Sequence, residues 1–252
     1  MKEEVIVVDG LHINYREAGS GKPILILHGW GRGSVTWIAV QDFLAQKGCR
    51  VIVPDFPGFG KSDVPQRAWT VDDYVMFVEH FIAQMQLANF FIVGHSFGGR
   101  LCIKMPKNGV RGLVLMSAAG IKHAQGFEQR LLKNIARIGA SFENVPFFPY
   151  VKKVFYHFFV GKNDYSRLEG IMKETFKKVI DEDLTPYLSA IAVPTLIVWG
   201  RKDRITPISD AFRMHEEIKD STLKILDKGT HILNIEMPEE LAYIIDEFFK
   251  GV

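Results

Sequence analysis

The 252-residue sequence predicts an α/β fold, a mostly parallel, doubly wound sheet of about eight strands with one helical cap insertion. Three observations lead there. Short β-prone runs recur along the chain with helix-period segments between them. Several of these runs, such as PILILHG (23–29) and TLIVWG (195–200), are apolar throughout, which suits strands buried on both faces of a parallel sheet. The alternation fails once, between about 120 and 188, where no good strand run occurs and helical segments dominate.

The elements follow in order. VIVVDG and HINYREA read as an opening hairpin with Asp9-Gly10 as its turn. PILILHG is the next strand. Residues 36–47 carry helical periodicity that stops at Gly48, and RVIVPD (50–55) returns to strand. A helix over 70–87 starts with Thr70 as its N-cap and with Asp72 and Asp73 in its first turn. FFIVG (90–94) is a strand, and a helix follows Ser96. GLVLMSA (112–118) is a strand. Helical segments at 126–139, about 149–159 and 164–180 make up the insertion. TLIVWG, a helix near 209–218, TLKILD (222–227) and a helix over 238–249 complete the chain. The expected organisation is a core of 1–119 and 189–252, with a cap of 120–188 inserted in it.

Composition narrows the partners. Apolar content of 47% and charged content of 24% suit a globular protein, and a net charge of +2 gives no electrostatic reason to expect nucleic acid. MKEEVIVVD lacks the apolar core of a signal peptide, and no run approaches the roughly 20 apolar residues that span a bilayer. A cytoplasmic monomer or homodimer acting on a small molecule is expected, with Cys49 and Cys102 as buried free thiols. The insertion is basic, with eleven Lys and Arg against five Asp and Glu between 120 and 180, and rich in aromatics. Phe127 and Phe158 are its candidate substrate contacts.

The chemistry centres on FFIVGHSFGGR (90–100). G-x-S-x-G is weak alone, but here it follows a strand directly and precedes a helix. Small neighbours allow a turn tight enough to present Ser96 above the sheet, at a helix N-terminus. A serine hydroxyl needs a base. Among eight histidines, His231 is the candidate, because it follows the last strand in a glycine-containing loop. Asp203, just past the strand 195–200, is the carboxylate to orient it. Donors for a developing oxyanion are the amides of Trp30, in HGWG (28–31), and of Phe97. His28 and Arg100 are further candidates for substrate binding. His95 reads as structural.

Other signals fail. GKS at 60–62 needs a glycine at 55 to complete a phosphate-binding loop, and Asp55 stands there. HGWGRGS has Ser34 where a dinucleotide loop needs its third glycine. HEEIK (215–219) lacks the second histidine of a zinc site. No metal and no cofactor is expected.

Together, HGWG at 28, PDFPGFGKSD at 54, GHSFGG at 94, VPTLIVWGRKDRITP at 193 and GTHILNIEMPEEL at 229 resemble the α/β-hydrolase fold superfamily, in its compact group with a helical cap. The order Ser96, Asp203, His231 is that superfamily's order. The resemblance implies that the insertion covers the site over Ser96. Two departures stand out. The helix after Ser96 is cut short by Met105-Pro106-Lys107-Asn108-Gly109, and Thr230 replaces a common second glycine. Three uses of the constellation stay open. One is hydrolysis of carboxylic esters with apolar or aromatic parts through an acyl-enzyme. The second is carbon–carbon hydrolysis of vinylogous diketones. The third is a ligand-binding receptor with a residual triad.

Overall fold

A computed structural model of the chain describes residues 1–123 and 165–252. The expected helices at 126–139 and 149–159, and the candidates Phe127 and Phe158, lie outside the described residues. Eight strands form one sheet in the order β1-β2-β4-β3-β5-β6-β7-β8. They are β1 (Lys2–Val8), β2 (Leu11–Ala18), β3 (Lys22–Leu27), β4 (Cys49–Pro54), β5 (Phe90–His95), β6 (Val110–Met116), β7 (Thr195–Gly200) and β8 (Ser221–Leu226). β2 pairs antiparallel with β1 and with β4, and all other pairs are parallel. The opening hairpin turns where Asp9 and Gly10 both take positive φ (50° and 79°), as a two-residue turn of matching twist requires.

The helices are α1 (Ile38–Gln46), entered through a 3-10 turn over Ser34–Trp37, α2 (Val71–Gln84) and α3 (Phe97–Lys104). After them come α4 (Tyr165–Asp181), α5 (Thr185–Leu188), α6 (Ile208–Glu217), α7 (Leu233–Glu236) and α8 (Pro238–Lys250). Thr70 caps α2 in a reciprocal box with Asp73. That helix stops at Gln84 rather than 87, because Gln86 turns to φ 52°. α3 is short, as its Met-Pro-Lys-Asn-Gly exit demands. The four-residue helices α5 and α7 are too brief to leave a periodic signal.

Two apolar layers sandwich the sheet. One joins Leu25, Ile92 and Leu113 to α2, α3 and α6, and the other joins Ile24, Val93 and Val198 to α1 and α8. Cys49 and Cys102 are buried free thiols. Among the described residues, no helix is long and apolar enough to cross a membrane. Because β3, β5, β6, β7 and β8 run parallel, the loops leaving them gather at one sheet edge. Thr70→Ala removes a cap and should lower stability by about 1 kcal/mol in urea unfolding. An unchanged midpoint would show that the box contributes nothing.

Candidate active site

The residue after β5 is Ser96, at φ 50° and ψ −107°. A non-glycine residue there is strained, and such strain persists only where packing enforces it. The enforcement is visible. A Cβ on Gly98 would stand 2.1 Å from the Leu27 carbonyl oxygen. One on Gly94 would stand 2.7 Å from the Gly98 oxygen, and one on Gly99 2.5 Å from the Ala118 Cβ. The glycines let α3 press against the ends of β3, β5 and β6. The Gly98 amide donates to the His28 carbonyl (3.1 Å), and the Ser96 amide to that of Met116 (3.1 Å). Phe97 opens α3, so its amide has no acceptor within the helix.

The loops after β7 and β8 are tied together by the Lys202 amide, which donates to the Gly229 carbonyl (3.0 Å). They carry Asp203 and His231. His231 Nδ1–H donates to Asp203 Oδ2 at 2.8 Å, with the carboxylate fully buried and the imidazole nearly so. Asp203 Oδ1 accepts from the amides of Ile205 (2.8 Å) and Thr206 (3.0 Å). Burial opposes the charge on Asp203, but His231 and these donors outweigh it and hold the carboxyl below its usual range. Thr206, which the sequence reading passed over, brings its hydroxyl to 2.9 Å from Asp203 Oδ2 and 3.3 Å from His231 Nδ1. Thr230 has its amide (3.0 Å) and its hydroxyl (2.9 Å) bonded to Glu236, so α7 holds the base's loop without a second glycine.

His95 joins the two halves. Its Nε2 lies 2.9 Å from the His231 carbonyl oxygen. Burial holds it neutral, with a pKa well below the usual imidazole value. The base's loop therefore lies against the serine's immediate neighbour. The sequence could not show this bond, because its partners are 136 residues apart.

The loop after β3, which carries Trp30, is braced by Asp55. Its carboxylate accepts from the Ser34 amide (2.5 Å), Asn14 Nδ2 (2.8 Å) and the Lys61 amide (3.0 Å). The Trp30 ring packs edge-on against Phe59 (4.8 Å) and Phe97 (5.3 Å), and tilted on Phe176 of α4 (5.0 Å). The Trp69 amide donates to Thr175 Oγ1 (3.0 Å), a second tie between α4 and the core. At the root of the insertion, the Leu184 amide donates to the Gly120 carbonyl (2.8 Å).

Two expected substrate contacts point elsewhere. His28 is fully buried, and both ring nitrogens are engaged. Nδ1 bonds the Gly29 carbonyl (2.8 Å), and Nε2 accepts the Phe56 amide (3.0 Å). It joins the loops after β3 and β4. Arg100 is buried and donates to the Glu182 carbonyl at 2.6 Å. Burial brings its pKa down to about 10. Among the described residues, no group of three or more His, Cys, Asp or Glu could hold a metal ion.

Acid should loosen this arrangement in a defined way. An unfolded imidazole takes a proton below about pH 6.5, and an unfolded Asp below about pH 4. Folded His95 and Asp203 both resist protonation, so the unfolded state binds more protons as pH falls. Their stabilisation is complete at neutral pH and fades through those two windows. Urea unfolding should show a shallower loss of stability from about pH 7 to about pH 5 for His95→Gln than for the wild type. Asp203→Asn should flatten the loss below about pH 4. Slopes equal to the wild type would contradict both assignments.

Comparison with known proteins gives the family of the chain. The alpha/beta hydrolase family model matches residues 24–242. An AB hydrolase superfamily protein, YisY, of Bacillus subtilis is 29% identical, over 92% of this chain and 93% of its own. A 2-hydroxy-6-oxo-2,4-heptadienoate hydrolase of Pseudomonas putida is 26% identical, over 98% and 96%. The structure of an esterase from Exiguobacterium antarcticum superposes with a TM-score of 0.75 at 25% identity, covering 98% of each chain. A family match that spans most of the chain, on an eight-stranded, mostly parallel sheet, makes this protein a member of the alpha/beta hydrolase family.

Proposed function

We propose that this hydrolase cleaves carboxylic esters with Ser96 as nucleophile, His231 as base and Asp203 as the group that orients it. The observation that carries the reading is the buried 2.8 Å bond from His231 to Asp203, with the His231 carbonyl bonded to His95, the neighbour of a serine held in a strained turn. With Nδ1–H given to Asp203, Nε2 bears the lone pair. It takes the Ser96 proton as Oγ bonds to the acyl carbon, and the imidazolium formed is stabilised by the carboxylate. The amides of Trp30 and Phe97 receive the oxyanion. His231 returns the proton to the departing alcohol. Water then attacks the acyl-enzyme, with His231 again as base.

The insertion, taken as 120–188, serves as the cap. Trp30 links it to the oxyanion loop, since its ring meets both Phe97 and Phe176. An aromatic cap over such a loop suits esters with apolar or aromatic parts.

Carbon–carbon hydrolysis is the second reading, favoured by similarity to the Pseudomonas putida dienoate hydrolase. Such a substrate carries a carboxylate. Arg100, which would have met it, is occupied by the Glu182 carbonyl, and this favours the ester reading.

Ser96→Ala should lose at least about a thousandfold in hydrolysis of p-nitrophenyl esters. A fluorophosphonate should label the wild type on the peptide holding Ser96 and leave the variant unlabelled. Full activity in the variant would sink the proposal. Rapid decay of a dienoate diketone chromophore with slow ester cleavage would move the assignment to the second reading.

A further inference from the structure

We infer that His95 is a positioning residue, one that sets the distance between nucleophile and base by holding the backbone of His231. The inference rests on the triad reading above. A carbonyl oxygen only accepts, so the 2.9 Å contact with the His231 carbonyl requires the proton on His95 Nε2. Burial keeps the imidazole neutral, which leaves Nδ1 bare. The side chain has little freedom to do otherwise. It is 2% exposed, and a Cβ on Gly29 would stand 3.0 Å from its Nδ1. The Trp37 ring lies across from it, with centroids 6.2 Å apart.

Position in the chain gives this bond its consequence. His95 is the last residue of β5 and precedes Ser96 directly. Its backbone is fixed in the sheet, where it pairs with Met116. A donor mounted there reaches across to the base's own carbonyl. Asp203 and Thr206 hold the ring of His231 from one side, and His95 holds its main chain from the other. The serine and its base are thus referred to a single rigid residue. Misplacement by about 1 Å in such a pair costs up to a hundredfold in rate. The loss should fall on the chemical step rather than on substrate affinity.

The test compares His95→Met, which keeps bulk but has no donor, with His95→Gln, whose amide can present a donor at similar reach. With p-nitrophenyl esters, the Met variant should lose at least about tenfold in kcat with KM little changed. Its rate of phosphonylation at Ser96 should fall in parallel. The Gln variant should recover most of both. Wild-type kcat in a folded Met variant, or a folded Gln variant as slow as Met, overturns the inference. A wild type that neither cleaves esters nor takes the label overturns the triad reading instead. Should the Met variant fail to fold, histidine 15N shifts in the intact protein decide the matter. The Nε2–H tautomer without titration across the neutral range is expected, and an Nδ1–H tautomer or a titrating ring refutes it.

Discussion

The contact between Gly98 and the Leu27 carbonyl governs the site. A side chain there is impossible, since its Cβ would come within 2.1 Å of that oxygen. Closing this gap lets α3 begin immediately after β5, and the turn that results forces Ser96 to positive φ. A serine in an ordinary strand would point into one of the two apolar layers. Here the hydroxyl is lifted clear of both, to the edge where the six parallel strands β3 to β8 end. The strain is repaid by packing: Gly94, Gly98 and Gly99 bury closely against Cys102, Leu27 and Ala118. The free amide of Phe97 is a by-product of the same geometry, because the first turn of a helix leaves its donors unpaired.

The loops that face the serine support one another. Each is tied to its neighbour rather than standing alone. Asp55 joins the loop after β4 to the loop after β3 through Ser34 and Lys61. His28 repeats that link through Phe56. Lys202 and Gly229 join the loop after β7 to the loop after β8. Buried polar groups of this kind are costly unless satisfied, and these are satisfied by backbone amides and carbonyls, which cannot drift. Trp30 carries the same logic to the insertion, since its ring contacts Phe97 on the elbow and Phe176 on α4. Any shift of α4 is felt at the loop whose amide is proposed to hold the oxyanion.

Much of this was legible in the sequence. The inner strands β3 to β7 were marked by apolar runs between turn residues, because burial on both faces leaves little choice of side chain. TLIVWG matches β7 residue for residue. The placement of Ser96, Asp203 and His231 could be read because each follows the end of a strand, and strand ends were readable. What escaped was side-chain direction. Arg100 and His28 have the right chemistry for a substrate, and only coordinates reveal that one turns to Glu182 and the other to Gly29 and Phe56. Thr206 was missed, and His95 was read only as structural, for a related reason. Threonine in a loop and histidine at a strand end carry no periodic signal, and their partners come from distant segments.

The electrostatics of the two adjacent imidazoles complete the picture. Their ring centroids are 5.0 Å apart, and under the proposed mechanism His231 becomes a cation during catalysis. A second cation at that distance would oppose it, by a Coulomb energy of several kcal/mol in a partly buried setting. Burial removes the conflict, because it disfavours charge on His95 before His231 and Arg32 add their own repulsion. A neutral donor can hold the base's backbone without penalising the charge that the base acquires. A lysine or arginine could make the same hydrogen bond, but it would carry a permanent charge toward the imidazolium and so raise the barrier it helps to organise. Imidazole combines a rigid ring, a directed N–H and the capacity to stay uncharged when buried. Those three properties are what the position between Ser96 and His231 demands.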